Sequence, residues 1–132
     1  MESRIRRITV DNQVFVWNFT DKYRSDYIND IFISRLFFSP EGKKSIRVEC
    51  FIKTRVDYMG GCFLSMGFYA MKNGEEYQIN FNKPGLVSEF IRFILANKVD
   101  FTKQERYRFD NAEDFLKEMG FDFSETTYIP FI

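Results

Sequence analysis

Apolar and polar residues alternate along much of the first eighty positions, and a period of two is typical of β-strands with one buried face. The clearest case is the segment 46–53, in which every second residue is apolar. Residues 21–29, around Tyr23 and Tyr27, are mostly polar and predict a connecting loop. The pattern predicts strands over residues 4–10, 13–20, 30–38, 44–53 and 62–71, and a sixth strand containing Tyr77, Ile79 and Phe81.

The residues between these segments are typical of tight turns. Asp11-Asn12 and Asn73-Gly74 suit two-residue hairpins, because these residue types tolerate left-handed backbone. Residues 39–42 read Ser-Pro-Glu-Gly, in which the proline fixes φ and the glycine supplies the positive φ that closes a turn. Consecutive strands joined by such turns predict an antiparallel meander.

Two helices are predicted after the strands. The first starts at Pro84, which suits the first helical turn, and ends near Asn97. Its apolar stripe has helical spacing and consists of Leu86, Val87, Phe90, Ile91 and Ile94. The second is predicted to be capped by Asp110, with Glu113 three residues later and Gly120 as its stop. Its apolar face would be Ala112, Phe115, Leu116 and Met119.

These elements predict an α+β fold: an antiparallel meander sheet of about six strands, with the two C-terminal helices packed on one face. No repeat or flexible linker divides the sequence, so residues 1–132 are expected to form a single domain. The helices should cover the face that carries Val48, Cys50 and Ile52, because it is the more apolar one.

The opposite face of the predicted sheet keeps six aromatic residues. Left to water, they would form a larger apolar patch than a monomer normally carries. Either the apolar last residues, 128–132, and the loop around Tyr23 and Tyr27 cover this face, or a partner does, most simply a second copy of the chain. The predicted interaction face consists of Phe15, Trp17, Phe19, Phe51, Phe63 and Tyr69.

The composition argues against several kinds of chemistry. The sequence has no histidine and two cysteines, which leaves no histidine-based catalytic triad and no usual zinc ligand set. It has no phosphate-binding loop, dinucleotide fingerprint or calcium loop, so we expect no cofactor, no metal and no catalytic residue. Cys50 and Cys62 could pair across neighbouring strands, but buried free thiols are the favoured interpretation.

Arg4, Arg6 and Arg7 form a small basic cluster near the start. Together with exposed aromatic rings, such a cluster could bind single-stranded nucleic acid. The alternative is a charged edge strand that prevents unwanted pairing. Nineteen basic and nineteen acidic residues give a formal net charge of zero, which argues against a nucleic-acid partner.

The start of the sequence has no apolar run typical of a signal peptide, and no stretch approaches the length of a membrane span. We therefore expect a cytoplasmic protein without a membrane partner.

Three segments carry a resemblance: ITVDNQVFVWNF at residues 8–19, SIRVEC at 45–50 and INFNKPGLVSEFIRFIL at 79–95. They resemble a loosely defined set of small uncharacterised bacterial α+β proteins. In that set a strand hairpin carries an aromatic-x-Trp, and a later strand leads through x-Pro into an amphipathic helix. The resemblance implies a bacterial, cytosolic, antiparallel α+β domain and transfers no functional residue.

Three functions are consistent with the sequence. The first is a non-enzymatic protein-interaction module, for example an immunity-type or antitoxin-type partner. The second is a single-stranded nucleic-acid binder that uses the aromatic face with the basic cluster. The third is a small enzyme that works with carboxylates, tyrosine or lysine alone.

Overall fold

The computed structural model describes residues 5–56, 61–124 and 130–131. No helix among these residues is long and apolar enough to cross a membrane. The elements along the chain are β1 (Arg6–Val10), β2 (Gln13–Asp26), β3 (Ile31–Pro40), β4 (Arg47–Arg55), α1 (Phe63–Met66), β5 (Phe68–Lys72), β6 (Glu75–Ile79), α2 (Pro84–Asn97), β7 (Arg106–Phe109) and α3 (Glu113–Glu118).

The fold is α+β with a mostly antiparallel sheet, as predicted, but the strands divide into two sheets. Five strands form the main sheet in the order β1-β2-β3-β4-β7, and β5 pairs only with β6. The first four strands are an antiparallel meander, whereas β7 runs parallel to β4. The single six-stranded meander is therefore wrong. Residues 62–71 do not form one strand. Their first part is the helix α1, Gly67 follows it at φ 90°, and the extended backbone of β5 starts only after that glycine.

Both predicted two-residue hairpins are present. Asp11 and Asn12 have φ of 49° and 66°, and Asn73 and Gly74 have φ of 54° and 78°. These left-handed conformations match the right-handed twist of the flanking strands. The helix predicted from Pro84 to Asn97 is also confirmed, with proline in its first turn.

Strand β2 is longer than predicted. It continues through residues 21–26, which the polar sequence had suggested to be loop. A bulge between Thr20 and Arg24 shifts its register against β3, and pairing resumes as far as Asp26 opposite Ile31. The ten-residue β3 supplies the hydrogen-bonding partner that these polar residues needed.

The second predicted helix is shorter, and Asp110 does not cap it. Helix α3 follows Ala112, and no side chain caps its first turn. Strand β7, which the sequence pattern did not predict, ends at Phe109 and is followed by a turn before the helix. Asp110 lies in that turn and accepts a hydrogen bond from Arg108 Nε at 2.9 Å.

One hydrophobic cluster joins the main sheet to the helices. Ring contacts run from Phe19 on β2 to Phe81 (5.3 Å, stacked), and from Phe81 to Phe90 on α2 (5.1 Å, edge-to-face). Phe115 on α3 packs against Phe90 at 6.1 Å and against Phe109 on β7 at 5.1 Å. We call the side of the main sheet that faces this cluster the inner face and the opposite side the outer face.

Candidate interaction surface

The six aromatic residues predicted as one exposed face are not brought together. Strand register places Phe15, Trp17 and Phe19 on the inner face, where Phe15 and Trp17 are buried and Phe19 is half-buried. Phe63 is buried in α1, and Tyr69 is exposed on β5. Only Phe51 lies on the outer face, and it is buried there.

The pairing of β2 explains why the predicted aromatic face was wrong. Large apolar residues occupy both sides of that strand, so its alternation does not identify the face that meets the core. Pairing decides it: Trp17 lies opposite Phe38, which lies opposite Val48 in β4, and directly paired residues share a face. The helices do cover the Val48, Cys50 and Ile52 face, as predicted, and all three side chains are buried.

The predicted basic cluster is not one patch either. Adjacent strand residues point to opposite faces, so Arg6 and Arg7 diverge. Arg6 Cζ lies 5.2 Å from the centroid of the Trp17 ring, and Arg6 Nη1 donates to the backbone oxygen of Asn82 at 3.0 Å. Arg7 points outward and pairs with Glu41. Arg4 lies outside the described residues.

The outer face is strongly basic. The paired positions on this face carry two acidic residues, Asp26 and Glu49. Glu41 and Asp110 add two more acids from turns at its rim, where they pair with Arg7 and Arg108. Against these four acids stand eight basic residues, which register places on the outer face: Arg7, Arg24, Arg35, Arg47, Lys53, Arg55, Arg106 and Arg108.

Guanidinium groups of this surface lie over aromatic rings. Arg47 Cζ is 4.8 Å from the centroid of Phe37, and Arg35 Cζ is 5.3 Å from the same ring. Arg108 Cζ lies 4.6 Å from the centroid of Phe51. Such cation–π contacts hold each guanidinium in place without neutralising its charge.

Tyr23 completes the cover of Phe51. The two ring centroids are 5.6 Å apart, with Arg108 also over Phe51, and Phe51 is only 5% exposed. The sequence had assigned such a cover either to a loop around Tyr23 or to a partner. Tyr23 provides it from strand β2, and covering Phe51 requires no second copy.

The segment near the end of the sequence packs elsewhere. Phe131 is buried against Phe68 and Phe123, on the side of β5. Tyr128, Ile129 and Ile132 lie outside the described residues, so the predicted docking of this segment is seen only for its described part. Phe131 therefore does not cover the outer face.

The ion pairs leave several of these cations without a carboxylate. Arg35 Nε is 2.8 Å from Glu49 Oε2, and Arg108 Nε is 2.9 Å from Asp110 Oδ1. The hydrogen bond to Asp110 raises the pKa of Arg108, which stays charged. Among the described residues, the ion pairs do not include Arg24, Arg47, Lys53, Arg55 or Arg106.

The backbone edge of β4 is occupied beyond β7. Ala112 N donates to Phe51 O at 3.0 Å, Lys53 N donates to Glu113 Oε1 at 3.0 Å, and Arg55 N donates to Pro130 O at 2.7 Å. Burial of the Glu113 carboxyl raises its pKa, although the hydrogen bond from Lys53 acts in the opposite direction. A partner that added a strand would find these groups already paired, so contact with this region would use outer-face side chains.

A second cluster of polar side chains lies on the inner side, under the bulge of β2. Ser65 Oγ donates to Asp21 Oδ2 at 2.9 Å, and Ser34 Oγ lies 3.5 Å from Cys62 Sγ. Both cysteines are free and buried, as predicted. In the part of the chain that the structure describes, no three His, Cys, Asp or Glu residues come together as a metal site. Asp21, Ser34 and Ser65 bond to one another or to backbone, which is how buried polar groups are ordinarily satisfied.

Comparison with known proteins gives no relative from which a role could be transferred. No protein-family model matches the chain, and neither a curated protein nor a solved structure matches it. The functional argument therefore rests on the geometry and charge of the outer face.

The sequence contained part of this surface. The alternation in β4 already placed Arg47, Glu49, Phe51 and Lys53 on one side. It missed the contribution of β7, where Arg-Tyr-Arg-Phe has the same period of two over four residues only. A strand that short is indistinguishable from a turn until its partner is known.

Proposed function

We propose that the protein is a non-catalytic protein-interaction module whose outer sheet face docks an acidic partner protein. The observation that carries this proposal is the excess of basic residues there, eight at outer positions against two acids at paired outer positions and two that pair with arginines from the turns. The whole chain is electroneutral, so the rest of it has a net negative charge. Such a separation of charge steers and orients an acidic partner.

The arginines on this face suit a protein interface. Arginine is enriched among the residues that dominate binding energy, because its planar fork forms paired hydrogen bonds with carboxylates. The rings beneath Arg35, Arg47 and Arg108 reduce the conformational freedom that these side chains would lose on binding.

Single-stranded nucleic acid is the second candidate, since a basic sheet face is also its usual site. Base stacking, however, needs open aromatic faces. Guanidinium groups already lie over Phe37 and Phe51, and Phe51 is buried. Tyr23, 44% exposed, is the most open ring of the three. The rings therefore favour a protein partner. The bacterial immunity-type or antitoxin-type role and the cytoplasmic location stay predictions.

The test compares two labelled probes of equal net charge, poly-L-glutamate and oligo(dT), by fluorescence anisotropy at several salt concentrations. The outer-face variant is Arg24→Glu with Lys53→Glu. The control, Lys83→Glu with Lys117→Glu, makes the same change in net charge at exposed positions outside the main sheet.

We expect poly-L-glutamate to bind the parent in a salt-dependent way. The outer-face variant should lose roughly tenfold or more in affinity, about 1.4 kcal/mol, while the control stays near the parent. Equal losses in both variants would mean that net charge alone drives binding and would overturn the proposal. Tighter binding of oligo(dT) than of poly-L-glutamate would replace the protein partner with nucleic acid.

A further inference from the structure

Two arginines at one end of the outer face lie side by side in register. Arg47 of β4 pairs directly with Arg106 of the parallel strand β7, so both side chains leave the same face of the sheet. Neighbouring strands are about 4.8 Å apart. Two like charges at directly opposite positions destabilise a sheet unless something neutralises them.

Nothing in the described residues neutralises this pair. Neither arginine takes part in the ion pairs of the structure, and both are exposed. Arg47 leans over Phe37 on β3, the strand on the other side of β4 from Arg106. Both guanidinium groups thus keep their full charge on residues that the backbone sets side by side, and for both to reach one bound group the Arg47 guanidinium has to leave the Phe37 ring.

An open pocket adjoins Arg106, whereas Arg47 does not line it. It has a volume of about 630 Å³ and is lined by Arg106 together with Ser45, Lys103, Gln104 and neighbouring residues, of which Glu105 is the acidic one. The backbone on both sides is fixed, since Arg47 N donates to Glu105 O at 2.9 Å. A group bound between the arginines would have the Lys103 ammonium and the Ser45 hydroxyl in the adjoining pocket.

We propose that Arg47 and Arg106 form a binding site for a phosphate monoester carried by a phosphorylated side chain of the partner protein. A single carboxylate can neutralise only one guanidinium, whereas a phosphate monoester carries about −1.5 to −2 at pH 7 and three acceptor oxygens. Arginine forks bind such oxygens in pairs. This inference deepens the proposed function and rests on it for the identity of the partner.

The test uses inorganic phosphate and short peptides as probes. The variants are Arg47→Gln with Arg106→Gln, and the control Arg92→Gln, which removes a cation paired with Asp11 near α2. Thermal unfolding is measured in phosphate and in chloride at equal ionic strength. Binding of a phosphoserine peptide is compared with that of the same peptide carrying two adjacent glutamates.

Phosphate should raise the unfolding midpoint of the parent and of Arg92→Gln by more than that of the double variant, which keeps only the general stabilisation by excluded phosphate. The double variant should unfold near the midpoint of the parent in chloride, because both side chains are exposed and the loss of two neighbouring like charges is offset by the loss of the Arg47 contact with Phe37. The phosphoserine peptide should bind the parent roughly tenfold more tightly than the glutamate peptide, and the double variant should lose that preference.

Two results would overturn the site. These are an equal response of parent and double variant to phosphate, and equal binding of the two peptides by the parent. Neither of these results bears on the proposed docking of an acidic protein, because the poly-L-glutamate test of that proposal changes Arg24 and Lys53 instead. Binding of oligo(dT) that depends on Arg47 and Arg106 would assign the site to a nucleic-acid phosphate and overturn the phosphoprotein source.

Discussion

Phe131, the last residue that the structure describes, should be a strong contributor to stability. Residues so close to the end of a sequence usually fray and contribute little. Phe131, in contrast, is only 4% exposed, and its ring centroid lies 4.9 Å from that of Phe123 and 6.0 Å from that of Phe68. Both contacts are edge-to-face, the geometry that aromatic pairs prefer.

Replacing Phe131 by alanine should therefore cost about 3 kcal/mol. Buried Phe→Ala changes cost about 3–5 kcal/mol, and the low end suits a segment that can relax into the space. With a urea dependence of about 2 kcal/mol per molar, the unfolding midpoint should fall by about 1.5 M. Equilibrium unfolding followed by the fluorescence of the buried Trp17 measures this shift directly.

Two further variants make the result interpretable. Ile28→Ala changes a side chain that is 94% exposed and should shift stability by less than about 0.5 kcal/mol. Deletion of residues 128–132 also removes the acceptor of the Arg55 N–Pro130 O bond and should cost about 0.5–1.5 kcal/mol more than Phe131→Ala. A Phe131→Ala midpoint as close to the parent as that of Ile28→Ala would refute the packing of this segment.

Three other predictions concern Asp110, Glu113 and the two cysteines. Asp110→Ala should lower the free energy of unfolding in urea by less than about 0.5 kcal/mol, because its ion pair with Arg108 is more than half exposed and it caps no helix. A loss above about 1 kcal/mol would indicate that Asp110 caps α3 after all. Burial raises the pKa of Glu113, so the stability linked to its neutral form is present below its unfolded pKa and lost as pH rises through the folded pKa. Glu113→Gln should then raise the thermal midpoint over the parent at pH 7 but hardly at pH 4, and a larger gain at pH 4 would reverse the sign. Cys50 and Cys62 are both buried, and burial also raises the pKa of the Cys50 thiol. Iodoacetamide should therefore label neither cysteine until urea unfolds the chain. Fast labelling of the native protein would contradict this prediction.

The sequence alone determined the features that depend on neighbouring residues. The hairpins at Asp11-Asn12 and Asn73-Gly74 follow from residues that adopt positive φ at low cost. Helix α2 follows from Pro84 and an apolar stripe of helical period. Each of these signals is complete within a few turns of chain, and the tertiary structure agrees with it, whereas the equally local capping signal at Asp110 was overridden once β7 formed and Arg108 took its carboxylate.

Only the tertiary structure decided the features that depend on strand pairing. A period of two says that alternate residues share a face, but not which face meets the core, and so Phe15 and Trp17 went to the wrong side. Strand β7 becomes a strand only because β4 offers its edge, and that pairing sets Arg106 beside Arg47. The basic outer face is assembled from four consecutive strands and from β7, which lies far from them in sequence, and the place and register of β7 follow from burial of the whole core rather than from any local pattern.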